Sequence, residues 1–198
     1  GSLPRSLFLS SPESNFTTGD FEDLSQFQLS LTGYHAIGAN GRGSATLYHR
    51  RSDAERFNVN QAPDPDVRGF SANRTVGANL DYRLATTVGG RTLALRFGAD
   101  GTVNRVHVRL YEESPGTRTL TTSVKSPGWD LSSYALADLT LGRATISGGA
   151  RFDYIRIPFR DLLDPSADTT SSFSRLSPRG GISVDLGRGA SAYGSLGR

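Results

Sequence analysis

Residues 72–84 read Ala72-Asn73-Arg74-Thr75-Val76-Gly77-Ala78-Asn79-Leu80-Asp81-Tyr82-Arg83-Leu84, and their polarity changes almost residue by residue. The even positions are Ala72, Arg74, Val76, Ala78, Leu80, Tyr82 and Leu84, wholly apolar from Val76 onward. The odd positions are Asn73, Thr75, Gly77, Asn79, Asp81 and Arg83, all polar or Gly. A period of two belongs to a β-strand, whose successive side chains leave opposite faces.

The same alternation recurs on either side. Arg91–Asp100 sets Leu93, Leu95, Phe97 and Ala99 against Thr92, Ala94, Arg96, Gly98 and Asp100. Ala144–Tyr154 sets Ile146, Gly148, Ala150, Phe152 and Tyr154 against Ser147, Gly149, Arg151 and Asp153. Leu176–Leu186 sets Pro178, Gly180, Ile182 and Val184 against Ser177, Arg179, Gly181, Ser183 and Asp185. Weaker alternation over Gln26–Ala36, Gly43–Arg51, Leu131–Leu141 and Ala190–Arg198 raises the expected number of strands to eight. Arg105–Tyr111 is expected to extend the fourth strand beyond a glycine break at Gly98–Gly101.

Between these segments, short and long connections take turns. Gly38–Gly41, Thr87–Gly90, Gly142-Arg143 and Gly187–Gly189 suit tight hairpins, where Gly and Asn supply positive φ. Ser52–Arg68, Glu112–Trp129 and Pro158–Ser172 are expected to be long polar loops. Strands of about ten residues, with short turns at one end and long loops at the other, are the pattern of a transmembrane β-barrel. The fold class expected is therefore all-β, an antiparallel up-and-down transmembrane barrel segment of about eight strands. Two rivals stay open: eight strands closed on themselves as an adhesin, membrane anchor or lipid-modifying enzyme, and a soluble β-sandwich binding module.

Composition narrows the function classes. The net charge of +3 is too small to argue for nucleic acid, and the basic residues are spread out, with Lys125 the single Lys. The absence of Cys excludes a disulfide framework, a thiolate metal site and a Cys nucleophile. No apolar run approaches the ~20 residues of a membrane helix, so contact with a bilayer requires strands. Without Met, the chain reads as an internal piece, or Gly1-Ser2 as a cloning remnant. No cofactor is implied. His35, His49 and His107 share no ligand spacing, and there is no nucleophile elbow or phosphate loop. The carboxylate pairs Glu112/Glu113 and Asp161/Asp164 read as solvated loop charges. Asn15-Phe16-Thr17 and Asn73-Arg74-Thr75 match a glycosylation pattern by accident.

Particular stretches resemble a known family. Tyr48-His49-Arg50-Arg51-Ser52 is similar to the Tyr-Tyr-Arg-Arg-Ser strand end of TonB-dependent outer-membrane receptors, with His49 in place of the second Tyr. Gly148-Gly149-Ala150-Arg151-Phe152-Asp153 resembles their Gly-x-Arg-Tyr/Phe-Asp strand. Phe173–Gly181 followed by Ala192-Tyr193-Gly194-Ser195 resembles one of their hairpins, and Leu7-Phe8 through Ser11-Pro12-Glu13 an early barrel segment.

The resemblance covers nearly the whole chain from about Leu7. It implies a plugged 22-stranded barrel in the outer membrane of a Gram-negative bacterium. The expected partners are outer-membrane lipid, the receptor's own plug domain and remaining strands, TonB acting through an N-terminal region, and a metal chelate or other small nutrient. No enzyme activity is implied. In such a barrel Asp81, Arg83, Arg96, Asp100, Arg151, Asp153, Arg175, Arg179 and Asp185 face the lumen, placed to contact the plug or steer an anionic ligand. Tyr82, at the short-turn end, and Phe152 and Tyr154, towards the long-loop end, fall at membrane-interface positions.

Overall fold

The computed structural model describes residues 5–11, 17, 19–60 and 64–197. Pro12, Glu13, Asn15, Phe16 and Arg198, which enter the motifs above, lie outside them. After one helical turn, α1 (Arg5–Ser10), the chain forms eight strands: β1 (Phe21–Ile37), β2 (Gly41–Asn58), β3 (Asp66–Val88), β4 (Arg91–Ser114), β5 (Thr117–Leu141), β6 (Ala144–Asp161), β7 (Thr169–Gly187) and β8 (Ala190–Gly197). They make a single sheet in sequence order, each antiparallel to its neighbours.

Both rival folds fail on these facts. β1 and β8 are the two edges of the sheet, and no ladder joins them among the described residues, so the strands do not close on themselves. There is no second layer, and among the described residues no hydrophobic side chain is buried, so no sandwich core exists. Leu31, Leu47, Leu80 and Leu176 are each at least 55% exposed. An apolar face left open on this scale requires a covering other than water.

Residues directly opposite each other in a ladder share a face. From Leu80 the register runs through Ala99, Ser133 and Phe152 to Leu176, and from Leu80 the other way through Ala45 to Gly33. The apolar runs of β3, β4, β6 and β7 thus fall on one face. Asp81, opposite Gly98, Tyr134, Arg151 and Ser177 in turn, lies on the other. On β3 the apolar run spans 76–84, on β4 93–103 and on β6 144–154. These lengths match the ~9–11 residues of a tilted membrane strand.

The short turns form as expected. Gly89 and Gly90 carry successive positive φ values of 59° and 74°, which two-residue hairpins need. The long connections are a correction. β3, β4 and β5 run to 23, 24 and 25 residues. The expected loop over Glu112–Trp129 is strand on both sides of a two-residue tip, Pro115-Gly116, where Gly116 at φ 78° suits a type II turn. The other two connections shrink to 59–65 and 162–168, the latter holding a 3₁₀ turn at Pro165–Ala167. Asp164 caps that turn by accepting from the Ser166 backbone N–H, and bonds to Ser166 hold its carboxyl below the usual range. β4 is continuous, with no break at Gly98–Gly101. The Tyr48–Ser52 motif lies inside β2 rather than at its end.

These overhangs hid from the alternation rule because their polarity inverts. Beyond the apolar run, the face that carried Val76 and Val103 carries Arg74 and Arg105, while Val106, Val108 and Leu110 stand on the face of Asp81. Polar contacts between strands hold the extension together. Arg68 is ion-paired with Glu55 and, at 2.9 Å, with Glu113, and its guanidinium lies 4.9 Å from the Phe57 ring. Phe70 and Tyr111 meet edge to face at 5.8 Å.

Candidate functional site

The polar face of β3–β6 carries one connected network, and a glycine makes room for it. Gly98 stands directly between Asp81 and Tyr134 in the register. A Cβ at Gly98 would fall within the Tyr134 ring, so its absence lets the ring lie flat across the sheet. The Tyr134 hydroxyl then donates to Asp81 Oδ2 at 2.6 Å, across β4. Asp81 also accepts from Arg96 Nε at 2.6 Å and Arg83 Nε at 2.9 Å. Its side chain is only 12% exposed. Arg83 and Arg96 are directly opposite, and Asp81 is the counter-charge that lets them stand so.

A second centre lies beside it. Asp100 accepts from Asn79, from Ser132 Oγ at 3.0 Å and from Arg151 at 3.3 Å. Arg151 donates to Asp153 at 2.7 Å and to Ser132 Oγ at 2.7 Å. Further along the same face Tyr48 lies over Gly77 and bonds Thr102 at 3.1 Å. Three carboxylates and three guanidiniums balance, each with a hydrogen-bonded partner. Such an arrangement stiffens the sheet and presents a fixed polar surface.

Of the nine residues expected in the lumen, the structure brings six together: Asp81, Arg83, Arg96, Asp100, Arg151 and Asp153. Arg175 stands opposite Asp153 in the register, but neither it nor Arg179 has an ion pair among the described residues. Arg179 lines a concavity of about 530 Å³ with Arg96, Tyr134, Leu136, Arg151 and Ser177. Asp185 lies at the end of β7 beside the turn, accepting from the Gly187 backbone N–H at 2.8 Å, and stands apart from the network. The sequence reading missed Tyr134, Ser132, Asn79 and Tyr48. The signal available was a glycine in the middle of a polar strand face, where a large neighbour can lie across.

Tyr82, Phe152 and Tyr154 lie on the apolar face, Tyr82 towards the short turns. Trp129, expected at the end of a loop, packs at a tilt against Tyr154 with ring centroids 5.1 Å apart. His35, His49 and His107 fall on the apolar side of the sheet, on three different strands. No group of three metal-ligating side chains occurs among the described residues. Glu113 pairs with Arg68 and Arg118, and Asp161 accepts from the backbone of Leu163 and Asp164, so neither carboxylate pair is a reactive dyad.

The family described as "TonB dependent receptor-like, beta-barrel" matches over residues 4–198. Among solved structures, the chain is similar to the ferric citrate transporter FecA in its unliganded form, with a TM-score of 0.86 at 13% identity, covering 98% of this chain and 30% of that one. It is similar to the ferric-catecholate import receptor Fiu of E. coli K12 in its open form, with a TM-score of 0.75 at 13% identity, covering 91% and 36%. It is also similar to the siderophore receptor PiuA of Acinetobacter baumannii, with a TM-score of 0.72 at 14% identity, covering 89% and 32%. The chain therefore spans about a third of each of these proteins. No curated protein matches.

Proposed function

The chain belongs to the TonB-dependent receptor β-barrel family, and from that premise we propose that it is a wall segment of an outer-membrane transporter taking up a metal chelate or similar scarce nutrient. The apolar face meets lipid, and the Asp81–Asp100–Arg151 face looks into the lumen. There it supports the plug domain, which moves when TonB engages a region outside this chain. Arg175 and Arg179, unbalanced by carboxylates, give the lumen a basic stripe that favours an anionic ligand. No bond is made or broken by these residues.

The observation that carries this reading is the division of the sheet: one face apolar over membrane-spanning lengths, the other filled by a satisfied polar network. The test is orientation in intact cells. A cysteine placed at Thr117, beside the Pro115-Gly116 tip, is expected to react with an impermeant maleimide added outside, whereas one at Ala39 reacts only after the outer membrane is opened. The reverse pattern, or equal labelling, rejects the topology.

Trp129 gives a second check. It is 37% exposed on the apolar side, at the outer end of the apolar run and directly opposite Arg156. Its emission, taken as the difference between the wild-type protein and Trp129→Phe, is expected to be quenched more by lipids brominated near the headgroup than by those brominated near the chain end.

A further inference from the structure

The apolar face ends in cations on five consecutive strands. Past Leu47 and His49 stands Arg51; past Val76, Arg74; past Val103, Arg105; past Trp129 and Pro127, Lys125; past Tyr154, Arg156. At the short-turn end, the same face of the strands carries one arginine, Arg91, opposite Val88. The charge therefore belongs to one rim.

Three of these cations are direct neighbours. Arg51 is opposite Arg74, and Arg74 is opposite Arg105. Like charges directly opposite one another destabilise a sheet. On the polar face the equivalent conflict, Arg83 against Arg96, is resolved by Asp81 between them. On this face Asp53 is the nearest carboxylate in the register, and Arg51 already holds it at 2.5 Å. Arg74, Arg105, Lys125 and Arg156 have no ion pair with any described residue. Glu55, the next carboxylate along β2, is taken by Arg68.

Three of the cations, Arg74, Arg105 and Lys125, line a hollow of about 380 Å³ together with Ala72, Val106, His107 and Pro127. Below it lie Val76, Val103 and Trp129, the top of the apolar run. A ligand here must be anionic at its head and must tolerate acyl surroundings below. We propose that this hollow binds the phosphate of a lipid headgroup in the leaflet at the hairpin end, with Arg74, Arg105 and Lys125 as its contacts. The inference rests on the membrane reading above, since it makes the apolar run the acyl-chain zone.

The test uses the full-length parent protein in dodecyl maltoside micelles and fluorescent bisphosphorylated lipid A as probe. Binding in micelles does not depend on which way the protein is inserted, so its failure is separable from failure of the labelling test. Removing cations at an anionic lipid surface costs about fivefold in affinity for each, so R74Q/R105Q/K125Q is expected to lose on the order of 100-fold. The wild-type affinity should fall steeply with salt and the variant's only weakly, whereas R91Q keeps full affinity. Folding of each variant is read from its shift in gel mobility on heating. If the triple variant does not fold, R105Q alone serves, with an expected loss of about fivefold. Unchanged binding in the triple variant or in R105Q, or an equal loss in R91Q, overturns the proposal. So does displacement of the lipid by an equal concentration of inorganic phosphate, which would make the hollow a free-phosphate site.

Discussion

Replacing Gly149 by Val is expected to stop the wall from assembling. Gly149 lies on the polar face of β6, opposite Leu136 of β5 and Arg179 of β7. A Cβ there would press on the Ala135 carbonyl oxygen and come within 2.9 Å of Leu136 Cα. Both are backbone atoms of the neighbouring strand, so no rotamer change relieves the clash. The strands must move apart where the β5–β6 ladder is continuous from Trp129 to Leu141. The penalty is on the order of 3 kcal/mol, at the upper end for overpacking. The measure is the fraction of protein in outer membranes that keeps heat-modifiable mobility, which should fall severalfold. Gly148→Ala is the control: nothing lies within 4 Å of a Cβ at that neighbouring site. Equal loss in both variants would mean that the close approach at Gly149 is not the cause.

Asp81→Ala carries the second large effect. Asp81 receives hydrogen bonds from Arg83, Arg96 and Tyr134, and is the one carboxylate between two arginines directly opposite each other. Its removal leaves that repulsion unopposed and the Tyr134 hydroxyl without its acceptor. Hydrogen bonds to a charged group are each worth about 1.5–3 kcal/mol, and the donors here remain partly open to water, so the expected loss is about 2 kcal/mol. Asp81→Asn keeps the shape but not the charge and should lose roughly half as much, and Tyr134→Phe, which removes one donor, about 1 kcal/mol. All three are read from the temperature at which the folded band disappears on unheated gels. A Tyr134→Phe loss equal to that of Asp81→Ala would assign the stability to the ring over Gly98 rather than to the charges.

The part of the architecture that was legible is the part governed by a local rule. Gly89-Gly90 and Gly142-Arg143 mark hairpins because few other residues tolerate positive φ. Val76–Leu84 marks a strand because one side meets apolar surroundings and the other polar ones. The overhangs obey neither rule. Around Arg105–Leu110 the apolar run has ended, the alternation reverses, and a polar stretch such as 112–129 reads as loop although strand ladders flank its tip on both sides. The site was legible only as a set of charges on one face. Which charges meet is set by the ladder between strands, and a slip of one residue would move Asp81 to the opposite face. Asp81 reaching Tyr134 across β4 depends on two registers and on Gly98, none of which spacing along one strand reveals.

The tight turn at Pro115-Gly116 has a mechanical consequence. The segment from Arg105 to Lys125 is a paired ribbon, not a floppy tether: its ladder passes a bulge between Leu110 and Tyr111 and runs on to Ser114 opposite Thr117, and β3 is paired along β4 as far as Glu113. A tether wraps a guest by local rearrangement; a ribbon laddered to β3 nearly to its tip moves only together with that strand. Any gating at the mouth by this part of the molecule is therefore a lever stroke, in which the side chains at the tip travel together and farthest.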